Sequence, residues 1–269
     1  MWQAPPTATP HPGEWLPTLD LPAPGPQNRL TVLVRILLLI PQFIVTWVLS
    51  VVAFFVTVIG WFGALVLGRL PGFAADYLSA YLPYETRVSS YLLLTHDRYP
   101  PFAFRTPDYP VQVGLRPGGL NRLAVLFRLI LVIPAAVVQG LLFAGWWVVG
   151  WISWLVVLIL GRMPLPLFEA TAAVLRYRMR YMAYLLMLTS AYPKRLFGDE
   201  PGSEPGGPVS ATRPLVLSGA GRALLVAFLL LGLVSGATGS ITANVTSDDS
   251  GDYGFEHLTG PLAPGPPRD

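Results

Sequence analysis

There is no cysteine in the 269 residues. Disulfides, thiolate nucleophiles, iron–sulfur clusters and cysteine-bound zinc are therefore excluded. Charge is also scarce: 12% of the residues are charged and 53% are hydrophobic. Soluble domains carry roughly twice that charge, and a chain this apolar is suited to lipid as a solvent. Lysine occurs once, at Lys194, so the remaining basic side chains are arginine. Histidine is limited to His11, His96 and His257. No metal-ligand spacing, nucleotide-binding glycine loop or nucleophile paired with a base is legible, so neither an enzyme nor a cofactor is expected. His96-Asp97-Arg98 is a lone His-Asp dipeptide, and such a dipeptide reads as a surface loop.

Proline and arginine are plentiful. Residues 1–16 are rich in proline without an apolar run; they read as a disordered tail with no signal peptide. From Arg29 to Arg195 there are 15 basic residues against 5 acidic ones, whereas the flanks hold 3 basic and 10 acidic. Basic residues beside apolar runs face the anionic cytoplasmic leaflet. They do not cluster in a soluble domain, and nucleic acid is not expected as a partner.

An internal repeat organises the chain. Asn28-Arg29-Leu30 recurs as Asn121-Arg122-Leu123, Arg35 as Arg128, and Ile40-Pro41 as Ile133-Pro134. Trp61 recurs as Trp154, Gly68-Arg69 as Gly161-Arg162, and Tyr99-Pro100 as Tyr192-Pro193. Every pair is separated by 93 positions without a gap. Two tandem modules follow, 17–109 and 110–202. Each reads as a short extended segment, a long apolar run, an amphipathic stretch and a second extended segment such as Pro101-Phe102-Ala103-Phe104. The turn signal Thr106-Pro107-Asp108-Tyr109-Pro110 at the boundary allows short β-strands at the membrane surface.

The run Ile36–Gly68 carries no charge. A straight helix needs about 20 residues to cross the hydrocarbon core. Arg29 and Arg35 before the run and Arg69 after it favour both ends on the cytoplasmic side. Arg122, Arg128 and Arg162 repeat the pattern. An apolar helical hairpin in each module satisfies that rule, with Arg35 and Arg128 snorkelling outward along their stems. Ser50-Val51-Val52 offers no Gly or Pro for the turn, which leaves a re-entrant hairpin or one long tilted helix open. Gly140, Gly145 and Gly150 mark bends or close packing in the second copy. Beyond a linker at 203–213, residues 214–243 read as a single transmembrane helix, followed by a disordered acidic tail at 244–269. The expected fold is all-α and membrane-embedded, with five spans, a cytoplasmic amino terminus and an exterior carboxyl terminus.

The amphipathic stretches preserve one stripe. Asp76, Tyr84, Arg87 and Tyr91 share a helix face, and Glu169, Tyr177, Arg180 and Tyr184 match them in the second copy. One reading makes each stretch an interfacial helix whose acid and arginine pair within the protein. The other makes the stripe a lipid-headgroup or anion site, or the seam between the modules. The expected function is a non-enzymatic membrane scaffold or accessory subunit with anionic lipid as a candidate ligand. Its partners would be membrane lipids, other membrane proteins or further copies of itself. The alternative is an oligomeric channel or small transporter, although the apolar runs offer only Thr46, Ser50, Thr57, Gln139 and Ser153 at depth.

Arg29-Leu30, Arg35, Ile40-Pro41, Gly68-Arg69, Pro71, Arg87, Tyr91-Leu92-Leu93-Leu94-Thr95 and Asp97-Arg98-Tyr99-Pro100-Pro101-Phe102 carry a resemblance. In this order they are similar to a family of bacterial, largely actinobacterial, membrane proteins that share a domain of unknown function. The resemblance covers roughly 17–200 and implies membrane embedding and the tandem repeat, with no activity, substrate or cofactor. It departs at Ser190-Ala191, where the family's Asp-Arg before Tyr-Pro is missing.

Overall fold

The computed structural model describes residues 15–199 and 210–249, with side chains as far as residue 236. Most of the tail expected at 1–16, residues 203–209 of the linker and the acidic tail from 250 onward lie outside it. In chain order the elements are β1 (Thr18–Asp20), α1 (Arg29–Leu33), α2 (Arg35–Leu67) and α3 (Gly72–Leu92), then β2 (Gln112–Gly114), α4 (Arg122–Leu126), α5 (Arg128–Leu131), α6 (Ile133–Leu160), α7 (Leu165–Leu185) and α8 (Gly219–Asp249). Among the described residues, three stretches are long and apolar enough to cross a membrane: Arg35–Leu67, Arg128–Leu160 and Gly219–Gly236.

The hairpin expected inside each apolar run is absent. α2 is one unbroken helix of 33 residues, roughly 50 Å long at 1.5 Å per residue. The polar side chains near its middle do not open it. Ser50 Oγ donates to the Trp47 carbonyl at 2.7 Å and Thr57 Oγ1 to that of Ala53 at 2.6 Å, so both are satisfied within the helix. The chain turns at Gly68 instead, which takes the left-handed conformation (φ 68°) and caps the last turn. Gly161 does the same after α6 (φ 66°), where a β-carbon would be strained. Each hairpin is therefore made by a long helix and the helix after it. Three candidate spans among the described residues replace the five expected. α8 also continues past 243 to Asp249.

The modules are joined head to tail, by contacts that occur in pairs 93 residues apart. Gln27 N donates to Gly161 O at 2.7 Å, and Leu120 N to Gly68 O at 2.9 Å. Trp154 Nε1 donates to Val32 O at 2.8 Å, and Trp61 Nε1 to Val125 O at 2.9 Å. β1 and β2 pair antiparallel, with Leu19 opposite Val113. These contacts define a pseudo-two-fold axis. The start of each module lies level with the end of the other's long helix. Rotation about the axis preserves that level, so α2 and α6 run across the axis rather than along it.

α3 and α7 meet at the axis. Arg178 Nη2 and Nε reach Glu85 Oε1 at 2.6 and 3.2 Å, and these two residues occupy the same position of the repeat. A position that faces its own counterpart across a two-fold would oppose like charges if both copies kept one residue type. Here the copies differ, and the contact is an ion pair. The interfacial placement expected for α3 and α7 is corrected accordingly. Phe168, Ala170, Thr171, Ala172, Ala173, Val174 and Leu175 are buried, because α7 is packed by α3, α6, α8 and β1. α2 is different: Leu39, Gln42, Ala53, Gly60 and Ala64 form a narrow buried stripe, while Ile44, Trp47, Phe54, Phe55, Ile59, Phe62 and Val66 are exposed. The interior is the moderately polar helix pair, and the most apolar surface is outside.

α8 packs along α6 in the opposite sense. A β-carbon on Gly145 would land on the Phe228 carbonyl, and one on Gly232 on the Leu141 carbonyl. The two backbones touch through reciprocal glycines, as small residues permit in apolar surroundings. This assigns close packing to Gly145; Gly140 meets nothing within 4 Å. Val52 occupies the position of Gly145 in the first copy, so α2 cannot accept a helix in this way.

Two stability tests follow. Glu85→Arg is expected to lower stability by about 3 kcal/mol by removing a buried partner. Glu85→Arg combined with Arg178→Glu should recover most of that loss in a denaturant titration. Gly145→Leu should cost about 1–3 kcal/mol through overpacking and speed proteolytic cleavage at 210–218, ahead of α8.

Candidate functional site

Arg35 and Arg128 stand at the heads of the long helices. A guanidinium there must find acceptors, and the sequence reading sent both outward to the membrane surface. They turn inward instead, at 2% and 3% exposure. Arg35 Nη1 donates to the carbonyls of Tyr91 and His96 at 2.8 and 3.1 Å. Its Nη2 donates to Gln27 Oε1 at 2.9 Å and to Asp97 Oδ1 at 3.0 Å. Arg128 reaches the carbonyls of Tyr184 and Thr189 at 2.8 and 3.0 Å. Each guanidinium carbon lies 4.3 Å from the centre of a ring, Tyr91 or Tyr184. The end of α3 turns carbonyls with spare acceptor capacity towards Arg35, and a cation is favoured at a helix C-terminus. That is the physical reason for the correction.

The helix end itself is strained. Leu94 (φ 63°) and Met187 (φ 61°) adopt the left-handed conformation, which costs a non-glycine residue on the order of 1 kcal/mol. Thr95 N donates to Ser90 O and Leu188 N to Ala183 O, closing the same turn in both copies.

The stripe splits into separate roles. Arg87 is 3% exposed and donates to the carbonyls of Ala103 and Phe104 and to Thr106 Oγ1; burial pushes its pKa down. Arg180 donates to the carbonyls of Pro17 and Lys194 at 3.0 and 3.2 Å. Both arginines fasten loops, and neither is presented to a headgroup. Tyr84 donates to Gln42 Oε1 at 2.5 Å, and Gln42 Nε2 donates to Pro100 O at 2.7 Å. Ala135 occupies the position of Gln42 in the second copy. The acidic position divides in the same way. Glu169 accepts from Ser218 N and Oγ at 2.8 and 2.6 Å and so anchors the start of α8, whereas Asp76 is exposed. The structure does not bring the eight stripe residues together as one site.

His96 and Asp97 likewise part company. Asp97 accepts from Arg35, from Asn28 N at 3.0 Å and from Thr31 Oγ1 at 2.5 Å. His96 Nε2 lies 3.1 Å from Ser90 Oγ. Ser90 is fully buried and donates its own proton to Arg87 O at 2.8 Å, so it accepts from the imidazole. This arrangement fixes a loop and leaves the hydroxyl unactivated. Burial, with the Arg35 charge adding to it, pushes the His96 pKa down to about 4.

Sequence reasoning treated Arg29, Arg69, Arg122 and Arg162 as topology markers. The fold makes them two pairs. Arg29 Nη2 donates to Ile159 O at 3.0 Å, next to Arg162, and Arg122 Nε comes within 3.5 Å of where a side chain on Gly68 would begin, next to Arg69. All four are exposed, and each pair takes one member from each module. The 93-residue step gave the equivalence but not the neighbour, because the neighbour belongs to the other copy.

The His96 environment yields a pH test. Its pKa in the folded chain, about 4, lies below the ordinary value of 6.5, so the unfolded chain takes up the proton first. Stability should fall as pH drops from about 6.5 towards 4, by at most about 1.4 kcal/mol per pH unit. His96→Gln should flatten that dependence in thermal unfolding curves.

Two segments, residues 29–103 and 122–196, match the family described as Domain of unknown function (DUF4389). They fall inside the two modules and start 93 positions apart. No curated protein and no solved structure matches the chain. The matched residues amount to more than half of the chain; with two tandem copies of its domain, the protein belongs to this family of unknown function.

Proposed function

We propose that this protein is a non-enzymatic membrane scaffold or accessory subunit that gathers anionic lipid. The observation behind the reading is the pair of exposed arginine clusters, Arg29 with Arg162 and Arg69 with Arg122, at the two ends of the apolar helices. Each arginine near an anionic leaflet contributes about 1 kcal/mol, and paired guanidinium groups suit phosphate oxygens.

The geometry of the two-fold favours one orientation in the bilayer. An axis lying in the membrane plane would put the β1–β2 pair and the Asp20–Arg213 ion pair (2.6 Å) at mid-depth, where lipid satisfies no polar group. An axis along the membrane normal keeps this polar layer in water and lays α2 and α6 in the membrane plane, with their exposed apolar faces against the hydrocarbon. All four arginines then lie at one level, on the cytoplasmic face. Both ends of each apolar run share a side without a hairpin.

Two measurements test the reading. Single cysteines at Asn28, Thr106 and Gly119, placed in this cysteine-free chain, should all be labelled from the same side by an impermeant thiol reagent. Labelling of Asn28 and Gly119 from opposite sides would mean that the helices cross the bilayer. In nanodiscs, spin-labelled phosphatidylglycerol should be preferred over phosphatidylcholine by roughly fivefold. Replacing the four arginines with glutamine should remove most of the preference, and solute flux through proteoliposomes of the purified protein would favour the channel reading instead.

A further inference from the structure

The two copies enclose two crevices related by the repeat. The first, of about 250 Å³, is lined by Arg35, Leu94, Trp146, Trp147, Trp151 and Trp154 among others. The second, of about 520 Å³, is lined at the matching positions by Arg128, Met187, Ala53, Phe54, Val58 and Trp61. Two of the tryptophans that fill the first give way to Ala53 and Val58, which accounts for the extra room. In both, the arginine is the sole charged residue of the lining, and the strained Leu94 or Met187 forms part of the wall.

The charge balance differs between them. Arg35 is neutralised within the chain by Asp97, with Gln27 as a further acceptor. Ser190 and Leu120 occupy those positions in the second copy. Arg128 keeps the carbonyls of Tyr184 and Thr189 and the face of the Tyr184 ring. Among the described residues no carboxylate pairs with it, and its Nε is buried without a partner, as is that of Arg35. A guanidinium does not shed its proton in a protein. A buried cation without a counter-ion is costly, so the second crevice favours an occupant that supplies negative charge. Phe54, Val58, Phe62 and Leu129 in its lining are exposed apolar side chains, so the crevice opens on the lipid-facing surface.

We infer that this crevice holds one anionic phospholipid, with its phosphate on Arg128 and an acyl chain laid along Ala53, Trp61, Tyr81 and Met182. The lipid takes the part that Asp97 plays in the first copy. The inference rests on the anionic-lipid reading above and assigns it a specific site.

Native mass spectrometry of the intact protein, offered phosphatidylglycerol and phosphatidylcholine after detergent exchange, tests it. The wild-type chain is expected to retain one phosphatidylglycerol. Leu120→Gln with Ser190→Asp transplants the first copy's acceptors and should weaken retention by roughly tenfold or more. Ala53→Trp, which fills the crevice without changing charge, should do the same and serves if the first variant fails to fold. The variant lacking the four exposed arginines should still retain the lipid, so loss of surface selectivity and loss of this site are told apart. Equal retention of phosphatidylcholine, or undiminished retention in the folded variants, overturns the site. An equal rise in unfolding temperature with inorganic phosphate alone overturns the lipid as occupant.

Discussion

Two backbone hydrogen bonds hold the copies in register: Leu120 N–H on the carbonyl of Gly68, and Gln27 N–H on that of Gly161. Each donor immediately precedes the N-cap of one module's first helix, and each acceptor is the left-handed residue that ends the other module's long helix. Once these are made, the head of α2 is fixed beside the tail of α6, and the reverse. α3 and α7 are then brought together at the axis, and β1 can pair only antiparallel with β2. Glycine is favoured at the acceptor because the bend there takes positive φ, which glycine adopts without strain.

The buried arginines follow from that arrangement. Turning α3 back along α2 brings the carbonyl ends of α3 close to Arg35, and those of α7 close to Arg128. The guanidinium groups satisfy these carbonyls and lie over tyrosine rings, an exchange that low polarity strengthens. The copies then diverge at the periphery. Copy one carries Asp97, Gln27 and Gln42, which complete its polar network internally. Copy two carries Ser190, Leu120 and Ala135, and has Gly145 and Glu169 placed to receive α8. One copy is closed on itself, and the other is built to take additional elements: a third helix and, by our inference, a lipid.

Duplication makes such divergence available. In a symmetric pair of identical modules, position 85 would meet itself, and any charge there would be repelled. Two copies on one chain allow Glu85 to face Arg178. The same freedom lets one crevice fill with tryptophan and the other stay open.

The sequence alone determined the repeat, its 93-residue step, the apolar runs and the basic bias of the core, because these are properties of residue type and spacing. It also singled out Arg35, Arg128 and the stripe from Asp76 to Tyr91. It did not reveal that the apolar run is one helix, since charge at both ends is equally compatible with a hairpin and with a helix lying across a two-fold axis. Nor could spacing tell whether Arg87 faces lipid or the loop at 103–106, because both environments offer acceptors to the same helix face. Those choices depend on which surface the other copy covers. The partner of each residue across the axis lies in the other module, and only the folded chain brings the two together.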